Sequence, residues 1–243
     1  MPYITALLNQ KGGVGKSTIT VNLAAVYSEI LGSEQSVAVV SIDPQGTSIE
    51  WADMVERAGR NVPFRVVDAS DNTEHLRRLR RAKADIIIVD TPGFMPLKGG
   101  KDVDESIDPL GDGTVGDSLR AILDVADDVI VPLEAEGAGF TPTKTTIERV
   151  LIPRQIPYGV VISNWDPRDT EADLERTQSL VKRKGWELYK TTIRHYKPHA
   201  RGITGGRFCT QYESNHTATK AKQDFVSLAL EHQLRRQKNA GAR

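Results

Sequence analysis

Residues 3 to 18, Tyr3-Ile-Thr-Ala-Leu-Leu-Asn-Gln-Lys-Gly-Gly-Val-Gly-Lys-Ser-Thr18, restrict the possible folds of this chain more than any other stretch. Ile4, Ala6, Leu7 and Leu8 read as a short buried strand, Gly12, Gly13 and Gly15 follow at once, and an apolar-periodic helix begins near Lys16. A strand that feeds a glycine-rich loop and then a helix N-terminus makes a phosphate trap. Glycine lets backbone N–H groups turn inward around oxygens, and the helix start adds unpaired donors and the positive end of a dipole. In such a loop Lys16 reaches the β- and γ-phosphates and the Ser17 hydroxyl ligates Mg²⁺.

The strands continue the theme. Residues 36–42, 64–67, 85–89, 128–133, 158–164 and 186–193 carry apolar, β-branched runs, and helical patterns stand between them over 16–31, 48–58, 73–83, 119–126, 143–151, 170–184 and 218–237. Thr170 reads as the cap of its helix, and the glycines at 202, 205 and 206 read as a loop before the last one. Strands alternating with helices predict one α/β domain over 1–243, a doubly wound, mostly parallel sheet with helices on both faces. Residues 94–116 read as a long mobile loop, and its acids do not match a calcium-loop spacing. Residues 238–243 read as a frayed tail.

Two acidic strand ends flank the loop. Asp43-Pro-Gln-Gly46 and Asp90-Thr-Pro-Gly93 each close an apolar strand, where ligand sites of open α/β sheets gather. Either acid alone is equally well a turn former.

The loop departs from the general pattern G-x-x-x-x-G-K-[ST]: Gln10 stands at the first glycine, and a second lysine, Lys11, opens the glycine run. Lys11-Gly-Gly-Val-Gly-Lys-Ser17 resembles the deviant Walker A box of the ParA/MinD family of P-loop ATPases, and 43–52 resembles switch I of its small ParA members, which lack an N-terminal helix-turn-helix domain. The resemblance implies an Mg²⁺-dependent ATPase that binds ATP through Gly12, Gly13, Val14, Gly15, Lys16, Ser17 and Thr18. It implies Lys11, Lys16 and Asp43 as catalytic residues, Lys11 crossing a dimer interface to the partner's ATP and Asp43 orienting the attacking water. Ser17, Asp43 and Asp90 then serve the metal. Asn164, at a strand end, is the candidate for the adenine, because Arg194-His195 stands where many members carry a proline.

Charge points to a partner. Lys182 to Arg243 hold 14 Lys/Arg against 4 Asp/Glu, while the whole chain is neutral at 32 of each. Such asymmetry suits a polyanion, although a solvated basic helix face explains it too. Arg201, Lys220, Lys222, Arg235 and Arg236 are the candidate DNA contacts, with the 77–81 run (Arg77, Arg78, Arg80 and Arg81) as the rival patch.

The function this implies is DNA partition: an ATP-dependent homodimer that binds DNA nonspecifically, hydrolyses ATP slowly and is stimulated by a centromere-binding, ParB-like adaptor. Its expected place is the nucleoid in the cytoplasm. No apolar run approaches about 18 residues, and the first strand follows Met1-Pro2 directly, so neither a transmembrane helix nor a signal peptide is expected. A MinD-like membrane switch is the alternative, through Phe225, Val226, Leu228, Leu230 and Leu234, but core packing explains those residues better. A related ATPase that positions a non-DNA cargo on the nucleoid is another. An iron–sulfur carrier of the same superfamily is disfavoured, because Cys209 is the single cysteine.

Overall fold

The computed structural model describes residues 1–33, 36–94, 108–135 and 139–241. Seven strands form one sheet: β1 (Tyr3–Leu7), β2 (Val37–Ser41), β3 (Arg65–Asp68), β4 (Ile86–Asp90), β5 (Asp128–Glu134), β6 (Tyr158–Trp165) and β7 (Leu188–Arg194). Their order is β3-β2-β4-β1-β5-β6-β7, and every pairing is parallel. Both faces are covered, which is why the strands read as continuous apolar runs: Ile87 and Val89 enter one core, Ile86 and Ile88 the other.

On one face lie α1 (Lys16–Leu31), α2 (Thr47–Arg57), α7 (Lys197–Thr204) and α8 (His216–Gly241), joined through Leu23, Val26, Trp51, Val55, Phe225 and Leu228. On the other lie α3 (Thr73–Arg77), α4 (Thr114–Leu123), α5 (Phe140–Lys144) and α6 (Glu171–Arg183), with Leu76, Leu119, Ile147 and Val181 in the core. A π-helical run, Thr145–Leu151, prolongs α5. Chain direction across the sheet reverses around β1: β2 to β4 are laid down on one side of it and β5 to β7 on the other. The loop after β1 therefore opens at the switch point, where the strand ends leave a crevice.

Several expectations are corrected. The helix expected over 73–83 stops at Arg77 and resumes as a 3-10 turn, Leu79–Arg81. There Arg80 grips both oxygens of Asp127, at 2.8 and 2.9 Å, so it is tied into the structure. The expected glycine loop is in part α7: Gly202 lies inside that helix, where a Cβ would meet Arg207 O at 2.9 Å and the Trp51 ring at 3.0 Å, while Gly205 and Gly206 follow its end. Thr170 stands at the N-cap of α6, but its hydroxyl donates to Asp173 Oδ2 and caps no backbone N–H. Of the last helix, Phe225 and Leu228 are core, whereas Leu230 and Leu234 are exposed. Within the expected loop over 94–116, α4 already begins at Thr114, and 95–107, with Asp102, Asp104 and Glu105, lie outside the described residues. Helix α8 runs through the expected tail to Gly241, and 242–243 lie outside the described residues.

Candidate nucleotide site

Strand register brings the motifs together. Asp90 stands level with Leu7 on one side and Ser41 on the other, so the ends of β1, β2 and β4 finish in one row. From that row emerge the glycine loop, Asp43 and Pro92-Gly93. They line a cavity of about 540 Å³ that includes Gly13, Lys16, Ser17 and Asp43.

The loop owes its shape to glycine and to side chains that pin it. Gly13 and Gly15 have φ of 78° and 86°, and no side chain caps the first amides of α1, which stay free for an anion. Asn9 is fully buried. It donates to Pro132 O (2.7 Å) and Thr143 Oγ1 (2.8 Å), and it accepts from Lys11 N (3.0 Å). Gln10 N donates to Thr146 Oγ1, and Ser163 Oγ donates to Val14 O. Asn9, Thr143, Thr146 and Ser163 belong to no motif in the sequence, and only their contacts across 123 to 149 residues reveal them. Gly93 closes against the loop, where a Cβ would meet Gln10 O at 3.0 Å and Gly12 N at 3.1 Å.

Charge in the cavity is arranged for a metal and an anion. Lys16 is 6% exposed, and its Nζ donates to Lys11 O (3.0 Å) and Asn9 O (3.3 Å). Burial lowers its pKa, opposed by the nearby Asp90 and Asp43 carboxylates. Asp90 is fully buried, and among the described residues neither oxygen makes a well-aligned hydrogen bond, although the Ser17 and Ser48 hydroxyls stand close by. Burial pushes its pKa up to about 6, with the Ser17 and Ser48 hydroxyls pulling the other way. An orphaned buried carboxylate beside Ser17 is a poor element of a resting protein and a good one for a cation. The residues present therefore fit Mg²⁺: Ser17 as ligand, with Asp90 and Asp43 behind it. Asp43 is partly exposed, with Oδ1 accepting from Gln45 N at 2.9 Å.

A second hollow of about 240 Å³ adjoins the first through Gly13, Gly15 and Thr18, and it is lined by Trp51, Asn164, Arg194, His195 and Tyr196. Asn164 has φ of 58°, which turns its amide between His195 Nδ1 (2.6 Å) and Glu134 Oε1 (3.0 Å). Arg194 lies 5.0 Å from the Tyr196 ring centroid and pairs with Asp224. This is room for a flat heterocycle beside the phosphate trap; Arg194 and His195 were expected near it, whereas Trp51 and Tyr196 were not legible as part of it.

The five DNA candidates do not form one patch. Arg201 lies exposed on α7 and Lys220 half-buried near the start of α8. Lys222 pairs with Glu29 at 2.9 Å. Arg235 covers the Tyr189 ring and donates to Leu188 O, while Arg236 covers the Tyr3 ring, so both sit by the opposite ends of the strands. Beside them, Leu230 and Leu234 line a larger groove of about 960 Å³. Among the described residues no helix is long and apolar enough to cross a membrane.

Comparison with known proteins agrees with this geometry. The carboxysome distribution protein A of Gloeobacter kilaueensis is 29% identical over 231 residues, covering 95% of this chain and 94% of that protein. The chromosome-partitioning ATPase Soj of Thermus thermophilus is 29% identical over 223 residues, covering 77% and 79%. The septum site-determining protein MinD of Pyrococcus horikoshii, solved with Mg-ADP, superposes with a TM-score of 0.62 at 17% identity, over 94% of this chain and 95% of that one. The profile of the CobQ/CobB/MinD/ParA nucleotide-binding domain matches residues 5–200. With that match over most of its length, a glycine-rich loop, two strand-end acids and an all-parallel sheet, the chain belongs to the CobQ/CobB/MinD/ParA nucleotide-binding family.

Proposed function

We propose that this chain is an Mg²⁺-dependent ATPase that partitions DNA: its ATP-bound homodimer binds DNA nonspecifically, and a ParB-like, centromere-binding adaptor stimulates slow hydrolysis and release. The observation that carries the reading is that Lys16, Ser17 and Asp43 line one cavity, with the buried Asp90 carboxylate behind Ser17, beside a second hollow sized for a base. Phosphoryl transfer is mostly positioning and charge neutralisation, and this is the set of groups it needs. The loop amides and Lys16 hold the phosphates, and Asp43, on the open side, orients the attacking water. Ser17, with Asp90 and Asp43 behind it, would hold Mg²⁺, which would supply neutralisation of phosphate charge. Lys11 acts on the nucleotide of the second subunit. Such a protein works on the cytoplasmic nucleoid.

A second reading has its own support. The relative that covers 95% of this chain is named for carboxysome distribution, so the cargo moved over DNA is equally a protein body. The adaptor separates the two. Stimulation of hydrolysis by an adaptor that binds a specific DNA site decides for partition, and stimulation by one without DNA affinity decides for the protein cargo. The shared core is tested by size exclusion and phosphate release with Mg-ATP. Dimer formation and slow release support it, and a monomer without release overturns it.

A further inference from the structure

Glu134, the last residue of β5, belongs to no sequence motif and is only 13% exposed. One carboxylate oxygen accepts from Lys11 Nζ at 2.5 Å, and the other accepts from Asn164 Nδ2 at 3.0 Å. Because an ionised carboxylate only accepts, the Asn164 amide must turn its NH₂ toward Glu134 and its oxygen toward His195. A continuous chain of polar contacts thus runs from the loop lysine to the base hollow: Lys11, Glu134, Asn164, His195. The carboxylate is held from both sides, so it meets the lysine in a fixed place. Lys11 itself is 27% exposed, and its backbone N–H is held by Asn9.

We infer that Glu134 is a positioning residue that holds Lys11 on its own subunit and restrains dimer formation until the lysine is released to the partner's phosphate. The inference rests on the reading of Lys11 as a lysine that acts across a dimer. A cation paired in place with Glu134 cannot at the same time neutralise a phosphate on another subunit. Breaking the pair is therefore a cost charged against every dimer that forms. For a partly exposed pair that cost is modest, which suits a brake that nucleotide and partner can overcome. Asn164 does not touch Lys11. Its part is to keep the carboxylate oriented.

The test measures the dimer dissociation constant of the full chain by analytical ultracentrifugation, with Mg²⁺ and a saturating non-hydrolysable ATP analogue. Glu134→Gln keeps the shape and removes the charge, so it should tighten the dimer by about fivefold. Analogue affinity in the dilute monomer should not change. Glu134→Asp, one methylene shorter, should move the constant the same way by less, and it serves where Glu134→Gln does not fold. Placed on Lys11→Ala, which does not form the productive dimer, either change should leave the chain monomeric, because there is no lysine to release; a dimer restored there would show that Glu134 acts other than through Lys11 and would overturn the inference. If the wild-type chain dimerises and both Glu134 variants leave the constant unchanged or weaken the dimer, the inference is overturned while the proposed function stands. If the wild-type chain does not dimerise with the analogue, the proposed function falls and this inference falls with it.

Discussion

The side-chain nitrogen of Lys16 donates to the carbonyl oxygen of Lys11 at 3.0 Å, so one lysine of the phosphate loop is tied to the backbone of the other. The amine is buried, and burial disfavours its charge. Phosphate oxygens are stronger acceptors than the two carbonyls that hold it at rest.

Lys16→Ala should therefore cost nucleotide binding about 1.5–3 kcal/mol, the worth of a charge-assisted hydrogen bond. The folded chain without nucleotide should lose little, since a buried, desolvated amine goes with it. Titration with a fluorescent ATP analogue and a parallel thermal melt check both statements.

Asp43→Ala and Lys11→Ala should separate turnover from assembly. Among the described residues the Asp43 carboxylate accepts from the turn amide of Gln45, so its loss should leave ATP binding intact and slow phosphate release by about 100-fold or more. Lys11→Ala should bind nucleotide and fail to form the productive dimer. Phosphate release and size exclusion with Mg-ATP read the two effects.

Gly93→Ala should loosen the phosphate trap without unfolding the chain. The new methyl would press on Gln10 O and Gly12 N, which are backbone atoms of the loop. Overpacking of this kind costs about 1–3 kcal/mol. The loss should appear mostly as weaker analogue binding, with circular dichroism unchanged.

The parts of the site carried by local chemistry were legible in the sequence. Asp43 and Asp90 stand at or just past strand ends that apolar runs announce, the glycines with Lys16 and Ser17 form the turn from β1 into α1, and the alternation of elements predicts the sheet. What was not legible depends on contacts far along the chain. Glu134 meets Lys11 across 123 residues, and Trp51 donates to Arg207 O across 156. Helix α7 was read as a loop because Gly202 inside it serves close packing against Trp51 and Arg207, while Gly205 and Gly206 follow its end. The exposure of Leu230 and Leu234 was missed because periodicity gives a helix an apolar face but not the length over which a neighbour covers it. Arginine runs mislead in the same way, for Arg80 is spent on Asp127 and Arg236 on Tyr3.

His199 makes the fold acid-sensitive. Burial lowers its pKa from 6.5 to about 4, with Nδ1 against the Tyr212 hydroxyl and the ring edge-on to Phe225. In the unfolded chain the same ring takes a proton near pH 6.5. The folded state thus binds fewer protons between pH 4 and 6.5, and its stability falls as pH drops through that window. At pH 5 the loss is about 2 kcal/mol relative to neutral pH. Thermal melts of wild type and His199→Gln from pH 7.5 to 5 check this: the variant should be less stable at neutral pH and should lose less on acidification.

The proposed DNA contact is best probed at Arg201 and Lys220, because Lys222 already pairs with Glu29 and its reversal would disturb α1. Arg201→Glu with Lys220→Glu should weaken duplex binding alike for every sequence, as phosphate contacts position without reading bases. Analogue binding should be unchanged. Electrophoretic mobility shifts on two unrelated duplexes measure it.

The central claim, that nucleotide licenses a nonspecific DNA-binding dimer, is tested most directly by one salt titration. Fluorescence anisotropy of a random-sequence duplex is measured with wild-type protein in Mg-ATP, in Mg-ADP and without nucleotide, and with anionic liposomes as competitor. Binding is expected in Mg-ATP alone, untouched by liposomes, with a log–log salt slope near −3.6 for roughly four neutralised phosphates. Equal duplex binding in all three nucleotide states, or liposome binding without duplex binding, would contradict it.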